Sequence, residues 1–203
     1  MNAGFQYFLG TIFAVLIAST ALKAAPIGDA TVDYVADLTI ASSDATLSGK
    51  IHHRAGRNGV PGRDRVELES ARGPMTIIVR PDKQTAWMLL TERRAYAAYN
   101  LRNARAMVGV MDDRLVDLTY EKDEIIAGIA TRRYAYIGKD RRGNSIGGKI
   151  WLTESQIVMK MNGYEQSPRR RRNITVELRN LQFETPPGHI FELPSGWQEI
   201  RLR

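Results

Sequence analysis

Hydrophobic and polar residues alternate along most of the chain from Asp33 onward, which is the pattern of β-strands with one buried face. In RVELE (65–69), Val66 and Leu68 point to one side and the charged residues to the other. Turn sequences such as GRNGVPG (56–62) separate these short runs. The pattern predicts an antiparallel meander of about ten strands.

One segment, residues 96–112, breaks the alternation. Its apolar residues recur at helical spacing and predict a single amphipathic helix. They are Ala97, Leu101, Ala104, Val108 and Met111. Because twist accumulates, a sheet of this size must curl, split or close. We therefore predict a mainly β (α+β) fold, a curved antiparallel sheet or incomplete β-barrel with the helix in its hollow.

Several strands carry large apolar side chains on both faces and need cover on both sides. In TAWMLL (85–90), Trp87 and Leu89 oppose Met88 and Leu90, and KIWLT (149–153) and QIVMKM (156–161) show a similar doubling. Bulky, adaptable Trp and Met side chains either fill an ordinary core or line an apolar pocket, and the sequence leaves both interpretations open. The predicted pocket residues are Trp87, Leu89, Leu101, Met107, Met111, Trp151, Met159 and Met161.

The beginning of the chain resembles a secretory signal. An apolar run at residues 5–22 is followed by small residues, and cleavage after either Ala21 or Ala24 fits the pattern. An uncleaved anchor of similar length is the alternative. We predict a signal peptide at residues 1–24 and one exported domain at residues 25–203. The chain has no cysteine, which excludes disulfides, thiolate metal sites and a lipid attached to a cysteine.

Positive charge is in excess, with 29 Lys and Arg against 22 Asp and Glu and a net charge of +7. For an exported protein this favours anionic lipid headgroups or acidic glycans over nucleic acid. The densest run is SPRRRR, whose arginines form either a solvated loop or a contact with anionic headgroups. These residues are Arg169, Arg170, Arg171 and Arg172.

The sequence offers little that could perform chemistry. GNSIG (143–147) matches a nucleophile elbow, but it leads into a strand where the elbow requires a helix, which indicates a turn. His52 and His53 are adjacent on a predicted strand, so their side chains point to opposite faces and cannot bind one metal ion. The sequence therefore predicts no catalytic residue, no metal and no cofactor.

Four segments resemble the superfamily of periplasmic lipoprotein carriers similar to LolA and LolB, within an uncharacterised bacterial branch. They are RPDKQTAWMLLTERRAYAAY, GIATRRYAYIG, GGKIWLT and FELPSGWQEI, and they occur in the family's order within residues 35–200. The resemblance implies a strongly curved, incomplete antiparallel barrel with helices over an apolar cavity. It also implies a periplasmic location and binding of acyl chains of lipids or lipoproteins. The chain departs from the carriers in having one predicted helix where they have several.

Two hypotheses follow from these observations. The leading one is a monomeric, non-enzymatic periplasmic protein that binds an acyl chain, a lipid or a lipidated protein, with a possible second contact to an anionic membrane and none to nucleic acid. The alternative is an interaction or stress-sensing module for envelope proteins, with a filled core.

Overall fold

The computed structural model describes residues 27–70, 73–111, 116–140 and 143–201. The predicted signal peptide lies outside these ranges, so it stays a prediction. Within the ranges, no helix is both long enough and apolar enough to cross a membrane.

The described residues form twelve strands and one α-helix, together with three short 3₁₀ turns. The elements are β1 Tyr34–Ser42, β2 Thr46–Arg54, β3 Arg63–Ser70, β4 Gly73–Arg80, β5 Thr85–Leu90, β6 Ala95–Tyr99, α1 Leu101–Met107, β7 Val116–Ile126, β8 Ile129–Lys139, β9 Ser145–Leu152, β10 Val158–Gln166, β11 Arg171–Gln182 and β12 Gln198–Glu199. The 3₁₀ turns are Pro81–Lys83, Thr91–Arg93 and Gly188–Phe191.

All twelve strands belong to one curved sheet, in the order β12-β6-β5-β4-β3-β2-β1-β11-β10-β9-β8-β7. Neighbours are antiparallel except for β12, which runs parallel to β6. Strand β1 joins two meanders, because it pairs with β2 on one side and with β11 on the other. The predicted fold class is confirmed.

The two faces of the sheet carry separate apolar clusters. In β4, Ile77 and Val79 point to the side on which α1 packs, which we call the helix-bearing face, whereas Ile78 points to the opposite face. Register pairs extend the helix-bearing face across the sheet into the main core. That core includes Leu38, Ile51, Val66, Leu68, Ile150, Met159, Met161, Val176 and Leu178.

The helix is shorter than the spacing predicted. Residues 96–99 belong to β6, where Ala97 lies opposite Met88 and is buried. The small apolar side chain of Ala97 fits a β-strand as well as the apolar face of a helix. The sequence pattern therefore placed the start of the helix too early. Asn100 caps α1 by accepting a hydrogen bond from the backbone N–H of Asn103 at 3.0 Å. Ala104 is the buried contact of α1 with the sheet.

The C-terminal segment covers the opposite face. This segment contains the 3₁₀ turn Gly188–Phe191. Phe191 is fully buried against Ile78 and Leu89. Strand β5 is therefore covered on both sides, by α1 and by this segment, as its doubly apolar sequence requires. The Arg80 guanidinium donates to the Phe191 carbonyl at 3.1 Å and pairs with Asp82 and Glu192, which fastens the segment to β4.

Candidate functional site

The eight predicted pocket residues divide between the two faces of the sheet. Leu101, Met107, Met111, Met159 and Met161 lie on the helix-bearing face. Trp87 and Leu89 pack against the C-terminal segment on the opposite face. Trp151 also points to the opposite face, where its partners on the two neighbouring strands are Arg133 and Lys160. The structure thus brings five of the eight together.

Within that group, burial separates the two methionines of β10 from the residues near α1. Met159 is 0% and Met161 5% exposed, so both are enclosed in the main core. Leu101, Met107 and Met111 are only partly buried. A ligand could therefore reach the residues near α1 with less rearrangement than the residues of β10.

A junction between the two clusters of the helix-bearing face lies beside α1. Met75 and Met107 contact both the main core and the smaller cluster formed by α1 with β4 and β5. Tyr99 and Leu101 complete this junction, and the Tyr99 hydroxyl donates to the Met107 Sδ at 3.7 Å. We call Met75, Tyr99, Leu101 and Met107 the helix-side margin. Sequence reasoning missed Met75, although its alternation with Ile77 and Val79 indicated the shared face.

Residues 27–33, which we call the N-terminal strap, cross the helix-bearing face. Ile27 and Met111 exchange backbone hydrogen bonds of 3.1 and 2.9 Å, and the Thr31 N–H donates to the Ser155 carbonyl at 3.0 Å. Asp33 ends the strap, where its carboxylate accepts from the Ala55 backbone N–H at 2.9 Å. Ile27 itself is buried in the main core, so the strap is part of the core's cover.

His53 ties the strap to the sheet through both of its ring nitrogens. Its Nδ1 lies 2.6 Å from the Asp64 carboxylate and its Nε2 3.0 Å from the Ala30 carbonyl, and both of these oxygens only accept hydrogen bonds. Burial works against the charged ring, but the charge and hydrogen bond of Asp64 and the bond to Ala30 outweigh it and raise the pKa of His53. The Tyr34 ring stacks on His53 at 5.1 Å.

Trp151 is enclosed by charged side chains on the opposite face. The Arg133 guanidinium lies 6.0 Å and the Lys160 ammonium 5.4 Å from its ring centre, and its Nε1–H donates to Glu124 at 3.0 Å. The side chain of Trp151 is 6% exposed. This environment suits cation–π packing better than contact with an acyl chain.

The predicted basic patch lies at the β10–β11 turn. Arg170 donates to both carboxylate oxygens of Asp44 at 2.8 Å, and Arg172 lies 4.0 Å from the same carboxylate. The Arg171 guanidinium stacks over the Tyr164 ring at 4.3 Å. Part of the patch is therefore paired within the chain, and Arg169 is exposed beside it.

The GNSIG motif and the histidines lie in separate elements, with Ser145 on β9, His52 and His53 on β2, and His189 in the turn Gly188–Phe191. The first two residues of GNSIG end a turn and Ser145 begins strand β9, so the motif leads into a strand, as its context indicated. No group of three His, Asp or Glu residues in these ranges is placed to hold a metal ion. A hollow of about 390 Å³ on the opposite face is bordered by Asp37, Lys50 and Asn180, which makes it too polar for an acyl chain.

Comparison with known proteins identifies the class of fold. No protein-family model and no curated protein sequence matches the chain. The chain has a LolA-like fold, as the sequence resemblance implied. It is similar to the crystal structure of MucB, with 12% identity and a TM-score of 0.57. The match covers 83% of this chain and 59% of the MucB chain, which is less than two thirds of the latter.

Two further solved structures are similar at the level of the fold. The complex of Pseudomonas aeruginosa MucA and MucB matches with 12% identity and a TM-score of 0.53, covering 83% of this chain and 58% of the other. A LolA superfamily protein from Nitrosomonas europaea matches with 9% identity and a TM-score of 0.45, covering 80% and 90%. At such low identity, the likeness to MucB shows the fold and no shared activity.

Proposed function

We propose that the protein is a non-catalytic binding protein of the bacterial envelope that binds an acyl chain, from a lipid or a lipidated protein, at the helix-side margin. The observation that carries the proposal is the junction formed by Met75 and Met107, which contact both apolar clusters of the helix-bearing face. Unbranched, polarizable methionine side chains adapt to a guest more readily than branched ones.

The helix is suited to yield to a ligand. With seven residues, α1 is too short to be stable alone, so it depends on the packing of Ala104 and on its cap. An acyl chain inserted beside it would exchange one set of apolar contacts for another. Each methylene removed from water contributes about 0.8 kcal/mol, so a half-inserted chain would bind usefully.

The envelope location is part of the proposal. It is supported by the signal-like residues 1–24 and by the likeness of the fold to MucB, which has been solved in complex with MucA(peri). The prediction of one exported domain at residues 25–203 and of a monomer belongs to the same proposal.

A charge placed at the margin tests the proposal. Met107→Glu puts a carboxylate between the two clusters, whereas Ala106→Glu puts the same charge on the exposed side of the same helix. We expect the purified wild type and Ala106→Glu to bind palmitate in isothermal titration calorimetry. We expect Met107→Glu to bind at least about tenfold more weakly, because the acyl chain would meet an uncompensated charge.

Palmitate that fails to bind the wild type, or binds the two variants equally, would contradict acyl binding at this margin. Circular dichroism of each variant shows whether α1 and the sheet persist, so loss of fold is separated from loss of the site. Native mass spectrometry of protein purified from the envelope fraction would add the natural ligand.

A second candidate function is an interaction module whose core is already filled. The burial of Met159 and Met161 at 0% and 5% exposure supports it, and so does the fold's likeness to MucB in complex with MucA(peri). This candidate predicts no copurified lipid and an envelope partner recovered by crosslinking. Replacement of Arg169, Arg170, Arg171 and Arg172 by Ser would abolish the crosslink if the basic patch forms the contact.

A further inference from the structure

Strand β7 lies at one end of the sheet and, among the described strands, pairs with β8 alone. An edge strand presents backbone N–H and C=O groups along its free side, and most proteins keep such strands short or covered. Strand β7 is eleven residues long. At the other end of the sheet, the two-residue strand β12 lies against β6.

The two halves of β7 differ in how they are protected. The second half contains a β-bulge between Tyr120 and Lys122 and a run of charged residues at 121–124, both of which discourage pairing with other chains. The first half, residues 116–120, has one charged residue, Asp117. Its Leu118 is 36% exposed and its Tyr120 53% exposed. We call residues 116–120 the open edge.

We propose that the open edge binds an extended segment of a partner protein, which adds a further strand to the sheet. The segment would place apolar residues on the helix-bearing face, against Leu118 and Tyr120, and a lysine or arginine beside Asp117. An added strand lies about 4.8 Å from β7, so its side chains contact those of the open edge directly. The proposal does not depend on acyl-chain binding.

The apolar part of this contact would extend a row of apolar and aromatic side chains that already runs across β7 and β8. Leu118 lies opposite Tyr136 and Tyr120 opposite Tyr134 in the register of β7 and β8. The Tyr120 and Tyr134 rings meet edge to face at 5.9 Å. A partner residue beside Tyr120 would lengthen this aromatic row and cover its exposed side.

Charge selects a basic segment over a second copy of this chain. Strand β7 carries four carboxylates and one ammonium, 1 − 4 = −3, although the protein as a whole is positive. Arg133 of β8 pairs with Glu121 at 2.6 Å and with Glu124 at 3.1 Å, so the acidic group of the open edge itself is Asp117. Two copies of the open edge side by side would bring two Asp117 carboxylates into one strand pair, and like charges across a strand pair are destabilising.

The test uses two matched sets of synthetic peptides about ten residues long. In the first set Val, Leu or Tyr alternates with Lys or Thr, and in the second set Glu replaces Lys. Fluorescence anisotropy measures binding to the full chain, and hydrogen exchange followed by mass spectrometry locates it. We expect members of the lysine set to bind and to slow exchange at residues 116–120, and the glutamate set to bind about tenfold more weakly.

Variants of the open edge complete the test. The double variant Leu118→Lys with Tyr120→Lys should weaken binding of the lysine set by about tenfold or more, since it removes the apolar row and adds like charge. The control is Phe183→Lys, which changes a 64% exposed residue just after β11, four strands away from β7 in the sheet, and should leave binding intact. Palmitate binding should be unchanged in both variants, which keeps this proposal separate from the proposed function.

Four outcomes would overturn the proposal. They are no binding by the lysine set, equal binding by the glutamate set, protection confined to residues outside 116–120, and wild-type dimers in analytical ultracentrifugation that the double variant lacks.

Discussion

At the scale of single residues, the most informative side chain is His53, whose ring forms two hydrogen bonds. Its two acceptors belong to different parts of the fold, Asp64 to β3 and Ala30 to the N-terminal strap. The proton on His53 therefore holds the strap against the sheet. Asp33 holds the strap independently, through the Ala55 N–H, Arg57 and Thr185. Deprotonation should loosen the strap without freeing it.

His53 predicts a specific dependence of stability on pH. Because its pKa is raised in the folded protein, the stabilisation is complete below the unfolded value of about 6.5 and is lost as pH rises through the folded value. We expect the free energy of unfolding in urea to fall as the pH rises above about 6.5, by about 1–2 kcal/mol in all.

The matched controls for this prediction are His53→Gln and His52→Gln. His52 is the neighbouring histidine on the opposite face, and its pKa is lowered mainly by burial. His53→Gln should remove the decline with pH, whereas His52→Gln should retain it. A decline of equal size in His53→Gln would show that another group causes it.

At the scale of elements, the C-terminal segment acts as a second cover of the sheet. Phe191 is its buried anchor, and Trp87 and Trp197 pack around that anchor. The Arg80 side chain, itself 4% exposed, joins the segment to β4 through two acceptors, Glu192 and the Phe191 carbonyl, and its guanidinium is also paired with Asp82. The segment and α1 stabilise opposite faces of the same strands.

Truncation of the anchor should therefore be costly. We expect Phe191→Ala to lower the free energy of unfolding by about 3–5 kcal/mol and to shift tryptophan emission to longer wavelength, since Trp87 and Trp197 would become more exposed. Phe183→Ala, at a side chain 64% exposed, should change neither quantity appreciably. Equal stability of the two variants would mean that the segment contributes little to the fold.

The same elements show what the sequence could and could not predict. Strand positions were predictable because side chains alternate with period two, and the turn at GNSIG was recognisable from its context. The face of the sheet to which each residue of TAWMLL points was not predictable, because Trp87 and Met88 are both apolar and point to opposite sides. Only the position of Phe191, far along the chain, shows what Trp87 packs against. The length of α1 was overestimated because Ala97 fits a strand and a helix equally.

At the scale of the whole molecule, a positive protein carries its charge unevenly, with an acidic strand at one end and a basic turn at residues 169–172. Asp44 pairs with Arg170 and lies 4.0 Å from Arg172, which reduces the charge available to a membrane. The candidate for headgroup contact is thus partly neutralised by the molecule itself.

Removal of that carboxylate should strengthen contact with anionic lipid. We expect Asp44→Asn to bind phosphatidylglycerol vesicles more tightly than the wild type and Arg170→Ser to bind less tightly, each by up to about 1 kcal/mol. Vesicle cosedimentation at low and high salt measures both effects, and high salt should reduce them. Identical binding by the wild type and both variants would show that the basic turn is exposed to solvent and does not contact the membrane.

The central position of β1 has a consequence for how the chain acquires its structure. During synthesis β1 and β2 emerge early, but the other edge of β1 pairs with β11, whose last residue is Gln182. Until β11 is available, the backbone N–H and C=O groups on one side of β1 are unpaired and can bind other unfolded chains. Such distant pairing slows folding, so the sheet can close only after nearly the whole chain is available.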